Sequence, residues 1–501
     1  MAEKMKYLLL HLAGNSMRNP LYYKYFGSIE IRRIKREGYL MLTGMKKLFA
    51  PVDMTEGSPW KRIVAFTIPM LMGNIAQQLY NTVDSIIVGR FVGDNALAAV
   101  GSAGPILNLL LVLFVGISVG VGIMVSQYFG ARQRLELSKT IGCCITLTVI
   151  TTILVMVVTP IVTMPLLRLL NTPDTIIGWC NSYLMILFMG IIGCAFYNIL
   201  GGILRGLGDS ISALVYLLVA TVLNIVLDYI FVAYFNMGVA GVALATVIAQ
   251  MVSALLSLRK LLRMKEVFDM KKEYLVPEKK YMWGLIRLGL PSGLTQAIFS
   301  LSMIIVQSLT NSFGEMFIAA NVIVMRVDGF AVMPAFSFGT AMTTYSGQNV
   351  GARRMDRVVQ GAKQGTAIAV GTSTAITILI LLFGRYLMSI FTSTPELVEL
   401  SFSMMKILAV GYIAMEVTQC LSGVMRGAGD TVTPMWISMV TTVVIRVPLA
   451  YGIAWLTRSD SMPNGNSACI FISLLISWIL GACITVLCYR AGRWKKKAIT
   501  E

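Results

Sequence analysis

Apolar stretches of near-constant length recur along the chain with almost no alternation in polarity, for example at residues 68–88, 107–124, 211–232 and 367–383. Each is near the roughly 20 residues that an α-helix needs to cross the hydrocarbon of a bilayer. A spanning strand would need only about ten and would alternate apolar with polar, which these segments do not. The pattern predicts twelve spans, at about residues 63–90, 97–125, 137–163, 176–203, 211–234, 238–262, 284–310, 316–346, 358–383, 398–423, 432–456 and 467–489. Prolines 69, 291, 334 and 448 fall inside spans, where each removes a backbone hydrogen bond and is expected to kink its helix.

The spans are punctuated by a sequence that says the same thing twice. Gln127-Tyr128-Phe129-Gly130-Ala131-Arg132 returns as Gln348-Asn349-Val350-Gly351-Ala352-Arg353, and Arg205-Gly206-Leu207-Gly208-Asp209 returns as Arg426-Gly427-Ala428-Gly429-Asp430. Both recurrences keep one register of 221 residues (127 to 348, 205 to 426), and Gly93 and Gly314 agree with it. A shared register over that distance marks a duplicated unit. Six spans per unit is an even number, so both halves enter the membrane from one side and are related by an axis along its normal. The expected fold is an all-α polytopic membrane protein, its twelve transmembrane helices forming two six-helix lobes with pseudo-two-fold symmetry. In the second repeat, glycine permits a positive φ at a helix end and Asp209 or Asp430 is placed to cap the next helix. That motif reads as a tight capped turn at the cytoplasmic face, with Arg132, Arg205, Arg353 and Arg426 all at that face.

Composition agrees: 56% of residues are hydrophobic and only 13% charged, against roughly a quarter charged in a soluble domain. The net charge of +18 is concentrated beside or between spans, at residues 32–36, 259–272, 279–280, 353–363 and 490–497. That is the footprint of cytoplasmic loops rather than of nucleic-acid binding, and it puts both termini inside a plasma (cytoplasmic) membrane. The domains expected are a cytoplasmic extension at 1–53, lobes at 54–262 and 284–490, a cytoplasmic linker at 263–283 and a basic tail at 491–501. The extension reads either as an amphipathic tail on anionic lipid or as sequence upstream of a start at Met45 or Met54, and not as a signal peptide. The eight cysteines are dispersed without a CxxC pair and the single histidine is His11, so neither a zinc site nor a disulfide framework is expected. No cofactor is expected, only a transported Na⁺ or H⁺.

Charges inside spans are costly and so mark partners, cavities or ions. In the first lobe Asp84 lies on span one and Asp228 on span five, each about six residues, roughly 9 Å, from the outer helix end. Thr246 on span six sits at a similar depth. Tyr80 with Asp84, and Asn224 with Asp228, are four apart and share a helix face. Two carboxylates, an amide and a hydroxyl form an oxygen set suited to a hard cation or a shared proton; the alternative is a pair of hydrogen-bonded structural acids. In the second lobe Arg326, Asp328, Glu416 and Arg446 supply two charges of each sign, which either neutralise one another or serve coupling or substrate binding. Among 32 methionines, most are expected to pack, while some suit a pocket for dissimilar apolar cations.

These residues resemble the multidrug and toxic compound extrusion (MATE) family over about residues 54–495, through the span-one pattern from Pro69 to Val83-Asp84-Ser85 and Gly89, both pairs of repeats, and Leu223-Asn224-Ile225-Val226-Leu227-Asp228. The likeness is to the DinF-like branch, in which an aspartate of helix one, an Asn-x-x-x-Asp pair of helix five and a threonine of helix six form a cation site. It implies Asp84, Asn224, Asp228 and Thr246 here, with Tyr80, Tyr183 and Asn198 as polar surroundings. Span seven, residues 283–308, has no acid, unlike the NorM-like branch. The resemblance implies a secondary active exporter, not an enzyme, moving amphipathic, often cationic compounds out in exchange for Na⁺ or H⁺, and expected to act as a monomer in the bilayer. Rival readings are a lipid-linked oligosaccharide flippase, which would want a strongly cationic cavity, and an intramembrane enzyme, for which no nucleophile or metal motif is present.

Overall fold

The computed structural model describes residues 51–170, 172–460 and 462–500, so nearly all of the expected 1–53 extension lies outside the described residues. Ten helices are long and apolar enough to cross a membrane, and a bent pair, Asp174–Met189 with Ile191–Gly206, supplies another crossing. The more polar first helix, Pro59–Phe91, completes twelve passes among the described residues. In chain order they are α1 (Pro59–Phe91), α2 (Asp94–Gly130), α3 (Arg134–Leu169), α4 (Asp174–Met189 and Ile191–Gly206), α5 (Ser210–Asp228 with a π-helical turn Tyr229–Tyr234) and α6 (Gly238–Leu262). The second six are α7 (Lys279–Asn311), α8 (Glu315–Ala331 and Met333–Gly351), α9 (Met355–Ser389), α10 (Pro395–Gly427), α11 (Val432–Met439, a π-helical turn Val440–Ile445, then Arg446–Leu456) and α12 (Cys469–Ala491).

Helix is the form that satisfies every backbone group without water, which is why apolar β-branched runs adopt it here. Threonines in α3 hide their hydroxyls the same way, Thr148 on Cys144 O at 2.7 Å and Thr159 on Val155 O at 2.6 Å. The sharpest break is not at a proline. α4 bends by 54° around Gly190, where a Cβ would fall 2.4 Å from Val247 of α6, so only glycine lets the two helices approach. Pro334 does mark the break in α8, directly after Val332, whereas α1 runs unbroken through Pro69.

The duplicated motifs are duplicated in geometry. Arg132 and Arg353 both end their helices in the left-handed region, at φ 56° and 57°. Asp209 caps α5 by accepting from Ser212 N at 2.9 Å and Asp430 caps α11 by accepting from Thr433 N at 3.2 Å, as their position after RGxG predicts. The repeats also cross between lobes. Gln127 donates to Gly427 O at 2.8 Å and Gln348 to Gly206 O at 3.1 Å, while their side-chain oxygens accept from Ile499 N and Met54 N, both at 2.8 Å. Gly130 lies against the Gln348 backbone and Gly351 against that of Gln127, with no room for a Cβ at either.

A second seam joins the lobes along α2 and α7. Gly116 and Gly120 face Gly289 and Gly293, and a Cβ on Gly116 would sit 2.7 Å from Gly289 O. This is a pair of small-xxx-small faces that lets two backbones touch in lipid, where packing rather than hydrophobicity drives association.

Candidate functional site

Three helices converge on one buried polar cluster in the first lobe. α1 delivers Asp84, 9% exposed, and α5 delivers Asn224 and Asp228, both fully buried; α6 adds Thr246, 8% exposed. The two carboxyls face each other closely enough to interact directly. With its nitrogen turned to the carboxylate, Asn224 donates to Asp228 Oδ2 at 2.9 Å and its oxygen accepts from Thr246 N at 3.3 Å; the opposite orientation would set carbonyl against carboxylate. Thr246 Oγ1 is 3.1 Å from the Tyr80 hydroxyl, so the i, i+4 partners on α1 and α5 are tied together through α6. Asp84 Oδ1 and Asp228 Oδ1 are buried, and no amide, hydroxyl or cationic side chain reaches either. No Lys or Arg forms an ion pair with either acid among the described residues, Arg90 included.

Tyr183 is near enough to feel both acids electrostatically. Asn198 is not drawn in: its amide turns back on its own helix to donate to Cys194 O at 2.9 Å. Next to Tyr80, a cavity of about 20 Å³ lined by Gln77, Thr221 and Gln250 has room for about one water, far too little for a drug.

Space of drug size lies between the lobes instead. A cavity of about 370 Å³ is bounded by Met70 and Asn74 of α1, Phe299 of α7 and Phe336 of α8, with Arg205 and Arg426 in its wall. These two arginines belong to the repeated RGxGD turns and were expected at the cytoplasmic face with Arg132 and Arg353. Arg132 is indeed exposed, but Arg205 points inward, donating to Ser118 Oγ at 3.1 Å. Each is the penultimate residue of its helix, from where a long side chain can reach back along the helix into the bundle.

Of the two readings of the second-lobe charges, mutual pairing is not what the structure shows. Among the described residues no ion pair joins Arg326, Asp328, Glu416 and Arg446. Asp328 accepts from the Tyr412 hydroxyl at 2.8 Å, Glu416 meets only the Cys420 thiol at 3.8 Å, and Arg446 reaches Ser302 Oγ at 3.5 Å and Met303 Sδ at 3.6 Å. Opposite charges in the same lobe did not suffice, because helix azimuth turns them to different neighbours. The π-helical turns are features that sequence reasoning missed, and no residue type in either flags them. One directly follows Asp228 and the other directly precedes Arg446; such turns often accompany functional positions.

Two six-helix lobes related by an axis between them, a cavity at their junction and a buried acid pair within the first lobe define a secondary transporter rather than an enzyme. Residues 69–230 and again 291–452 match MatE, and the chain belongs to that family. It is 30% identical over 452 residues to "Probable multidrug resistance protein YpnP" of Bacillus subtilis (strain 168), covering 90% of this chain and 99% of that one. It is also 30% identical to "Probable multidrug resistance protein YoeA" of the same organism, over 89% of this chain and 96% of that one. Among solved structures, the outward-facing conformation of a multidrug resistance MATE family transporter superposes with a TM-score of 0.82 at 25% identity, over 89% of this chain and 99% of the other.

Proposed function

We propose that the protein is a cation-coupled multidrug exporter that moves amphipathic compounds out of the cell through the cavity between its lobes. The observation that carries this reading is the meeting of Asp84 and Asp228, each with a buried oxygen that no amide, hydroxyl or cationic side chain satisfies. Two carboxyls this close in a low-dielectric bundle need a positive ion between them, and an ion that can leave makes the site a coupling element. The names of the relatives YpnP and YoeA supply the substrate class, and the cavity of about 370 Å³ with its aromatic and thioether wall fits it.

What supports a proton rather than sodium as the coupling ion is the local geometry. The Asn224 nitrogen faces the carboxylate, its oxygen is taken by Thr246 N, and the Tyr80 and Thr246 hydroxyls are engaged with each other, so few free oxygens remain for a metal shell. The basic clusters beside the interlocked repeats support a cytoplasmic location for that face, in a multi-pass plasma-membrane protein. On that orientation the Gln127 and Gln348 contacts close the inner side, and the state described is outward-facing. The carboxyls and the access equilibrium are then linked, so substrate and proton weaken each other by the same factor.

The test is uptake of a fluorescent organic cation into everted vesicles with a pH gradient and a sodium gradient imposed separately. Wild type is expected to respond to the pH gradient. Asp84→Asn and Asp228→Asn are expected to lose that response while remaining in the membrane at normal abundance. Full transport by both variants rejects the site, and transport driven by sodium alone rejects the proton.

A further inference from the structure

The second lobe holds a polar pocket whose charge is opposite in sign to that of the first-lobe acid cluster. α7, α8, α11 and α12 are the repeat counterparts of α1, α2, α5 and α6, and they enclose a pocket of about 380 Å³. Arg446 projects into it from α11 and Arg326 from α8, alongside Gln307 and Asn321, with Met303 and Met325 forming an apolar wall. No Asp or Glu lines it. Arg446 is only 4% exposed, its Nε has no partner, and its other contacts are a long approach to Ser302 Oγ and two to a thioether. A buried guanidinium with no carboxylate and a free N–H is as costly as a buried unpaired acid, and it calls for an anion.

The helix is shaped to leave it so. The π-helical turn Val440–Ile445 ends at Arg446, and two of its carbonyls are taken by neighbouring helices, Thr442 O by Ser302 of α7 at 2.8 Å and Thr441 O by Ser477 of α12 at 2.8 Å. Those bonds fix the register that turns Arg446 into the pocket. The nearest acid, Asp328, influences Arg446 electrostatically but is held by Tyr412 of α10 and does not pair with it. With two arginines and one acid, the pocket keeps a net positive potential.

We propose that this pocket binds a small organic anion, its carboxylate or phosphate held by the guanidinium forks of Arg446 and Arg326 and its apolar part laid against Met303 and Met325. Planar two-pronged donors match such groups, and polarizable thioethers accept varied apolar shapes. The site is separate from the coupling acids and stands whether or not these carry a proton.

The experiment is equilibrium binding of radiolabelled salicylate to the purified full chain in nanodiscs of zwitterionic phosphatidylcholine. Saturable binding is expected, displaced by other aromatic carboxylates and not by the uncharged salicylamide. Arg446→Gln is expected to weaken it by roughly tenfold or more, the worth of a lost charge-assisted bond. Asp328→Asn, which removes the one nearby negative charge, is expected to tighten it, and this second variant keeps the test decisive should Arg446→Gln fail to fold. Repeating the measurement with anionic phosphatidylglycerol distinguishes the source: loss of salicylate binding there assigns the pocket to a lipid phosphate, and retention assigns it to a free anion. Binding that is indifferent to Arg446→Gln and Asp328→Asn, or equal displacement by salicylamide, overturns the proposal.

Discussion

At the scale of single residues, the first-lobe cluster is a set of mutual obligations. Asp228 Oδ2 has Asn224 as its donor at 2.9 Å, and that amide is fixed in turn by Thr246 N. Asn224→Leu therefore leaves a fully buried carboxyl oxygen unsatisfied and should cost about 1–3 kcal/mol of stability. Thermal unfolding in detergent measures it, and the loss should shrink when Asp228 is also changed to Asn, because the two side chains share one interaction. Strict additivity of the two substitutions would show that the amide does not serve the carboxylate. Asp84, Asn224, Asp228 and Thr246 were legible in the sequence because polar residues stand out in an apolar run and their distance from the helix end gives a depth. Azimuth is not written that way, which is why Asn198, on a suitable helix, turns to Cys194, and why Arg326, Asp328, Glu416 and Arg446 do not pair.

At the scale of elements, helix extent was legible because hydrocarbon thickness fixes it, and the expected spans fall on the twelve passes. Deformation was only half legible. Proline predicts where a hydrogen bond must be missing, and Pro334 does sit at the α8 break, but the 54° bend of α4 needs Gly190 and the neighbouring Val247, a contact between helices 57 residues apart that no local pattern carries. The α2–α7 seam was available as two GxxxG spacings, Gly116 with Gly120 and Gly289 with Gly293. Gly120→Val places a Cβ 2.8 Å from Leu285 O and 2.9 Å from Gly289 N, backbone atoms that cannot step aside. Overpacking of this kind costs about 1–3 kcal/mol, read as a lowered unfolding temperature. Gly101→Ala, in the same helix with nothing within 4 Å, should leave that temperature unchanged.

At the scale of the molecule, the duplication itself was plain from one register of 221 residues, but its purpose was not: a repeat shows that two turns are alike, not that they face each other. Gln127 and Gln348 exchange bonds across the pseudo-two-fold axis, each donating to the carbonyl of the other lobe's Arg-Gly turn and each accepting from a flanking chain segment. Because Gly206 also bounds the central cavity, that exchange closes the cavity on the side of the basic loops. A transporter must break this closure in every cycle, so its worth sets the balance between access states. Four hydrogen bonds, three of them buried, at about 0.5–1.5 kcal/mol each amount to a bias of roughly 2–6 kcal/mol, and a change of a few kcal/mol shifts a two-state population by factors of ten to thousands. Gln127→Ala with Gln348→Ala should move the protein toward the state open on the basic face. With the native cysteines replaced and Ser422→Cys reporting from the cavity wall, a membrane-impermeant maleimide applied to that face should label the double variant faster than its parent, and slower from the opposite face. Equal labelling from both faces in parent and variant would mean that the reciprocal glutamines only stitch the fold together and that access is governed elsewhere.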